Sequence, residues 1–330
     1  MTLPRQRAGR VAVLAVTISA IVVVFVAIMV GAVPLPPRVV FAALMSAESP
    51  HAEIVRSLRV PRVLLAFVVG GSLAVCGAAL QAVVRNPLAE PWLLGVSGGA
   101  SLGAVIATIV GLPPGWSVAA CASAGALLAA AVVYRISTIR GRRLDSNVLV
   151  LAGVVIAAFA GALTTIMLAV VDPFTFRAAT MWMFGGFAGA SWQALRDFAV
   201  IAVVPLGIIA WLARPLDLIA LGDDAATSLG ADVDRVRRIA VVVTSVLTAA
   251  TVSAAGVIGF VGLIVPHAMR WMVGPLHRRL LPVAFVAGGG FTVLADTVAR
   301  SVTSSELPVG TITALIGVPT FAVLLRRSIR

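Results

Sequence analysis

The side chains that could do chemistry are few in this sequence and badly spaced for it. His51, His267 and His277 are the only histidines, and none lies in an H-E-x-x-H pair or beside cysteines at metal-ligand spacing. Cys76 and Cys121 both fall in apolar runs, which suits inert packing, and two cysteines are too few to staple a secreted fold. The adjacent acids Asp223 and Asp224 lie in a polar loop and face no apolar site. All 25 basic residues are arginine, so the lysine of a G-x-x-x-x-G-K-[ST] phosphate loop is missing. Any step driven by a nucleotide needs another subunit, and this chain is expected to be no enzyme and to bind neither metal nor cofactor.

What must position the remaining polar residues is a set of membrane helices. The chain has 330 residues, 60% hydrophobic and 12% charged, with mean hydropathy +1.08. Soluble domains average about 45–50% apolar and about 25% charged. That excess excludes both a soluble core and a disordered chain, and a bilayer accepts it in helices of ~20 apolar residues. Ten segments qualify: 11–33, 63–84, 92–112, 116–136, 148–171, 193–213, 236–256, 257–273, 281–303 and 308–325. The first is too long for the apolar region of a signal peptide and reads as a retained span. The eighth is the least regular, because Pro266, His267 and Arg270 interrupt it.

With the N-terminus inside, eighteen of the 25 arginines fall on inner segments and seven outside, so the positive-inside rule places both termini in the cytoplasm. The net charge of +12 is then a topology signal rather than a nucleic-acid footprint. Gly95, Gly99 and Gly103 repeat at a spacing of four, a doubled GxxxG that lets two backbones approach. The expected fold is an all-α polytopic membrane protein, one transmembrane domain over 1–330.

Four places depart from plain membrane helix. The turn Arg85-Asn86-Pro87-Leu88-Ala89-Glu90-Pro91 reads either as a rigid connection or as a gate at the inner mouth. The inner loop 214–238 reads as two short helices, 215–221 closed by Gly222 and 225–229 closed by Gly230, with Asp223 as N-cap. Its Leu216, Ile219, Leu221 and Leu229 suit docking, though a solvated loop explains the same acids. The outer segment 172–191, with Arg177, Met181 and Trp182, suits a re-entrant helix lining a vestibule or an interfacial aromatic belt. Asp296 and Arg300, four apart near the outer end of span nine, suit a self-neutralising pair or a partner contact, as do Arg56, Arg59 and Arg62 ahead of span two.

Several motifs follow one another in a familiar order. They are Arg59-Val60-Pro61-Arg62, Gly77-Ala78-Ala79-Leu80-Gln81, Asn86-Pro87-Leu88-Ala89-Glu90-Pro91 and Leu94-Gly95-Val96-Ser97-Gly98-Gly99. Trp182-Met183-Phe184-Gly185-Gly186, Leu221-Gly222-Asp223-Asp224-Ala225-Ala226, the run 256–267 ending Val265-Pro266-His267, and Leu294-Ala295-Asp296-Thr297-Val298-Ala299-Arg300 continue the order, and Glu306-Leu307-Pro308-Val309-Gly310 completes it. Over nearly the whole chain the sequence resembles the FecCD/BtuC-type permeases of ABC importers for iron complexes and vitamin B12. The resemblance implies ten helices and a pore between two copies of the chain or two related chains. It also implies two cytoplasmic ATPase subunits that carry ATP and magnesium, and a periplasmic or lipid-anchored binding protein.

By the same resemblance, Leu221, Gly222, Asp223, Asp224, Leu229 and Gly230 belong to ATPase coupling, and Arg59, Arg62 and Arg300 to binding-protein docking. Asn86, Leu88, Ser146 and Asn147 narrow the inner pore. Arg177 and Met181 are assigned to the outer part of the pathway, where Arg177 suits either anionic cargo or an interfacial anchor. The expected cargo is a ferric siderophore or haem first and cobalamin second. A secondary transporter driven by an ion gradient is the competing class; it requires an ionisable residue near the bilayer midplane and broken helices in two related halves.

Overall fold

The computed structural model describes residues 3–328, except 32, 47–48, 114, 140–142 and 304–305. In chain order the helices are α1 (Leu3–Met29), α2 (Pro37–Met45), α3 (Val60–Val84), α4 (Val96–Ile109), α5 (Trp116–Ser137), α6 (Ser146–Ala169) and α7 (Pro173–Met183). Then come α8 (Trp192–Trp211), α9 (Ala213–Ala220), α10 (Asp223–Ser228), α11 (Val233–Ala255), α12 (Val261–Val273), α13 (His277–Ala299) and α14 (Val309–Ser328). A π-helical turn over Ile54–Arg59 leads into α3, and a 3₁₀ turn over Pro91–Leu94 precedes α4. The strands β1 (Thr138–Ile139) and β2 (Arg143–Leu144) form a two-residue antiparallel ribbon at the inner turn between α5 and α6. Among the described residues, seven helices are long and apolar enough to cross a membrane, and α4, α12 and α14 are shorter apolar helices. All ten expected spans therefore contain a helix, in a multi-pass membrane protein.

The core is built around α3, whose residues 69–83 are all buried. Its partner α13 lies close enough that a methyl built on Gly70 would sit 2.5 Å from Gly288 O, and Phe67 meets Phe285 edge to face at 6.0 Å. Lipid gives no hydrophobic drive between helices, so such glycine contacts supply the packing. The Gly99 and Gly103 stripe is confirmed in this role: methyls there would lie 2.3 Å from Gly125 O and 2.2 Å from Cys121 O of α5. Gly95 differs, since it sits at φ 71 as the residue that starts α4.

Two expected spans prove to be shortened at their starts. A methyl on Gly77 of α3 would lie 1.8 Å from Gly262 O, so α12 begins beside a point seven residues, about 10 Å, from the inner end of α3. Residues 256–260 return the chain to that depth without helix, which corrects the expected continuous span 257–273. Likewise Leu93 O packs on Gly153, seven residues into α6, so α4 also starts at depth rather than at the surface. Non-helical backbone at such depth is tolerated only inside protein. Here the Glu90 carboxylate accepts a hydrogen bond from the Phe260 amide at the head of α12, and Trp92 packs on Gly259.

Candidate functional site

The segment expected to couple to an ATPase differs in detail from the sequence reading. The helices run Ala213–Ala220 and Asp223–Ser228, each about two residues from the expected bounds. Leu216 and Ile219 are fully buried within the chain, whereas Leu221 and Leu229 are 67% and 62% exposed. Of these four apolar residues only the latter pair faces outward, beside exposed Asp224, Thr227 and Ser228. Asp223 is not the N-cap: Gly222 holds that place at φ 113 with no side-chain cap bond. Gly222 and Gly230 (φ 83) bracket α10 in backbone regions that glycine alone enters without strain.

The Asp223 carboxylate is used elsewhere. It accepts from Arg237 Nη2 at 2.7 Å and Nη1 at 3.0 Å, and it lies 3.5 Å from Arg85 Nη1. Arg237 is on α11; Arg85 ends α3 in the left-handed region at φ 54 and begins the turn carrying Asn86 and Leu88. One carboxylate thus ties α10 to a core helix and to the turn that follows α3. Asn86 Oδ1 accepts from the Leu88 amide at 2.9 Å, a local turn, and both residues are exposed. Ser146 Oγ donates to Val83 O at 3.3 Å, and Asp145 caps α6 by accepting from the Asn147 and Val148 amides at 2.8 and 3.1 Å. The two expected gate pairs therefore share one end of the bundle.

A second joint holds α9. Asp217 Oδ1 accepts from the His277 amide at 2.8 Å and stands 2.6 Å from His277 Nδ1, while His277 Nε2 approaches Ala78 O of α3 at 3.4 Å. Arg270 of α12 donates to Gln81 Oε1, and Gln81 Nε2 donates to Gly262 O and Leu263 O at 3.3 and 3.2 Å. This chain of contacts from α9 to α12 was missed in the sequence. Its signal was there: Gln81 and Arg270 interrupt apolar runs, where polar groups need partners.

At the outer face the arginine expectation needs correction. Arg59 and Arg300 are each 8% exposed. Arg59 donates to Ile28 O and Met29 O at 2.9 Å and to Val33 O; Arg300 donates to Ala27 O and Val30 O. These are the carbonyls at and just past the C-terminus of α1, which no intrahelical amide satisfies and where the helix dipole favours cations. Arg56 does the same for α2 through Ala43 O and Leu44 O. Arg62 is bidentate to both Asp296 (2.8 Å) and Glu306 (2.8 Å), and Arg300 Nε stands 3.2 Å from Asp296 Oδ2, outside hydrogen-bond alignment. The hydrogen bonds from Arg62 hold the Glu306 carboxyl below the usual carboxylate range. Two of the three expected docking residues are thus interior staples.

The outer segment forms α7, capped by Asp172, which accepts from the Phe174 and Thr175 amides. Arg177 and Met181 are exposed one turn apart on it. Past its end, Gly185 sits at φ 69 against Val257 O, and the Gly186 amide donates to Ala255 O.

This arrangement has known counterparts. Residues 19–327 match the FecCD transport family. The chain is 44% identical over 305 residues to the cobalamin import system permease protein BtuC of Halobacterium salinarum, covering 90% of this chain and 80% of that one. It is 40% identical over 279 residues to the vitamin B12 import system permease protein BtuC of Salmonella typhimurium, covering 83% of each. It also superposes with TM-score 0.85 and 28% identity on a solved inward-facing metal-chelate type ABC transporter, across 96% of this chain and 98% of that one. A PsaBC structure from Streptococcus pneumoniae, at 17% identity and TM-score 0.56, shares the fold. Half-buried Glu90 and the shortened helices α4 and α12 are features that the competing ion-coupled class would also use, and the match of residues 19–327 to the FecCD transport family decides against that class. The chain belongs to the FecCD transport family and is a permease subunit of an ABC importer in the cytoplasmic membrane.

Proposed function

We propose that this permease moves cobalamin into the cell, as one of two copies around a shared pore, driven by ATP and magnesium on two separate cytoplasmic ATPase subunits. The observation that carries the mechanism is Asp223. It joins α10, whose Leu221 and Leu229 flank are exposed for docking, to the Arg85–Leu88 turn at the inner mouth. A push on α10 is therefore delivered to the turn through a charge contact, without passing through the packed core. The cargo reading is supported by the cobalamin and vitamin B12 names of the relatives at 40–44% identity, which reverses the order expected from sequence. An iron chelate is the second reading, supported by the metal-chelate type transporter of the same fold.

Outside, the binding protein meets a rim that Arg59 and Arg300 hold in shape. Arg62, 14% exposed, and Glu306, 47% exposed, are its accessible charges. The deciding experiment uses proteoliposomes holding the permease, its ATPase and its binding protein, supplied with labelled cobalamin, ferric siderophore or haem. ATP-dependent uptake of cobalamin alone is expected. Uptake of an iron chelate without cobalamin overturns the cargo, and uptake driven by an ion gradient without ATP overturns the class.

A further inference from the structure

A crevice on the inner half of the molecule is not used by the transport reading. It has a volume of about 290 Å³ and lies between α3, α8 and α13, lined by Val75, Leu206, Ala210, Leu281 and Phe285, with Arg278 at its edge. From Arg278 to Phe285 is seven residues of α13, so the crevice runs about 10 Å into the apolar layer. Pro282 forms part of its wall, and Pro205 precedes Leu206 in α8; internal prolines bend helices and open such gaps. The neighbouring face of α8 is apolar and open, with Val200, Val203 and Val204 each more than 60% exposed, as expected of a surface against lipid.

The mouth is basic. Arg214, next to the lining residue Ala213, is exposed, as are Arg278 and Arg279, and none has an ion-pair partner among the described residues. Asp217, an acid of the same end, is held by His277. Exposed Trp211 ends α8 at this level, where tryptophan marks the headgroup region. An apolar slot whose open end carries unpaired guanidinium groups at the cytoplasmic interface matches one ligand chemistry: an acyl chain joined to an anionic phosphodiester. Basic pockets between helices on this side of a membrane bind such headgroups, and guanidinium grips phosphate oxygens in pairs.

We propose that this crevice binds one anionic phospholipid of the inner leaflet, its chain along Val75, Ala210 and Phe285 and its phosphate on Arg278 and Arg214. His277 lines the crevice as well as holding Asp217, so the bound chain packs against the joint of α9.

The test is native mass spectrometry of the purified permease, alone and with its ATPase, titrated with phosphatidylglycerol, cardiolipin and phosphatidylethanolamine. One phosphatidylglycerol per chain is expected to survive detergent exchange, at least tenfold tighter than phosphatidylethanolamine, with cardiolipin competing for the same place. Arg214→Ala with Arg278→Ala, both surface changes, is expected to bring phosphatidylglycerol down to the phosphatidylethanolamine level. Ala210→Phe, which fills the slot, is expected to abolish retention, and glycerol phosphate, a headgroup without chains, is expected not to compete. Equal retention of the two lipids by the unaltered protein overturns the proposal. So does undiminished phosphatidylglycerol in the double arginine variant, or disulfide cross-linking of Ala210→Cys between two chains in membranes, which would make a second copy the occupant.

Discussion

The outer and inner ends of this permease both concentrate arginines, and they use them in opposite ways. Outside, Arg59 and Arg300 are buried and donate to the backbone at the end of α1, so their charge is spent on closing a helix. Inside, Arg85 and its partner Asp223 are 43% and 41% exposed and 3.5 Å apart, a contact that water competes for. A buried donor that leaves its carbonyls strands them at a large cost, whereas a half-exposed pair separates for about 1 kcal/mol or less. The outer cluster is therefore fit to stay fixed while the inner link breaks and re-forms.

Arg300→Ala tests the fixed end and should give the largest effect. It strands the carbonyls of Ala27 and Val30, each at about 1–3 kcal/mol, while Asp296 keeps its bidentate partner Arg62. Lower yield and a lower thermal midpoint are expected. A well-folded Arg300→Ala permease that only associates more slowly with its binding protein would make the outer cluster a docking surface after all.

At the inner end, Gly230→Pro comes next. Proline cannot adopt φ 83, so α10 loses its terminus, and co-purification with the ATPase and transport should both fail while the bundle keeps its thermal midpoint. A general loss of folding would show that α10 is part of the packed core. Arg85→Gly is smaller and more discriminating. It cuts the link to Asp223 yet relieves a left-handed non-glycine residue, worth about 1 kcal/mol. Stability should hold or rise slightly while cargo moved per ATP falls several-fold; unchanged coupling would remove the Asp223 link from the mechanism.

The smallest effect concerns Arg62 and Glu306. Because the folded protein holds the Glu306 carboxyl below its ordinary value of 4.5, the pair stabilises above that pH and is lost as pH falls through the lower folded value. Between neutral pH and 5 the thermal midpoint should not respond to Glu306→Gln in a pH-dependent way, and the difference between variant and parent should shrink only below about 4.5. A difference that grows on acidification would reverse the assignment.

The ten apolar runs and the glycine seam of α4 with α5 were legible because composition and spacing report directly on lipid exposure and close approach. The late start of α4 and α12 was not, since 256–260 and 91–95 are as apolar as the helices that follow them. Arginine type also conceals its acceptor: the sequence of Arg59 and Arg300 suits a foreign carboxylate or a helix-end carbonyl equally, and only the position of α1 decides. Asp223 looked like an N-cap because it opens a short helix, but Arg237, fourteen residues away, competes for its oxygens. The His277–Asp217 joint was invisible for the same reason, being a contact between helices α9 and α13, sixty residues apart in the chain.

The two short helices also bear on how the chain enters a membrane. At 14 and 13 residues, α4 and α12 measure about 21 and 20 Å, short of the ~30 Å hydrocarbon layer. Neither can partition by itself, because the backbone groups of its non-helical lead would face lipid unpaired. Each must wait for a neighbour already in place, α6 to receive Leu93 and α3 to receive Gly262. Biogenesis then has a built-in order in which long helices insert first and the two short ones tuck in afterwards. Glu90 and Phe260, which meet only once both have done so, close the last step of assembly.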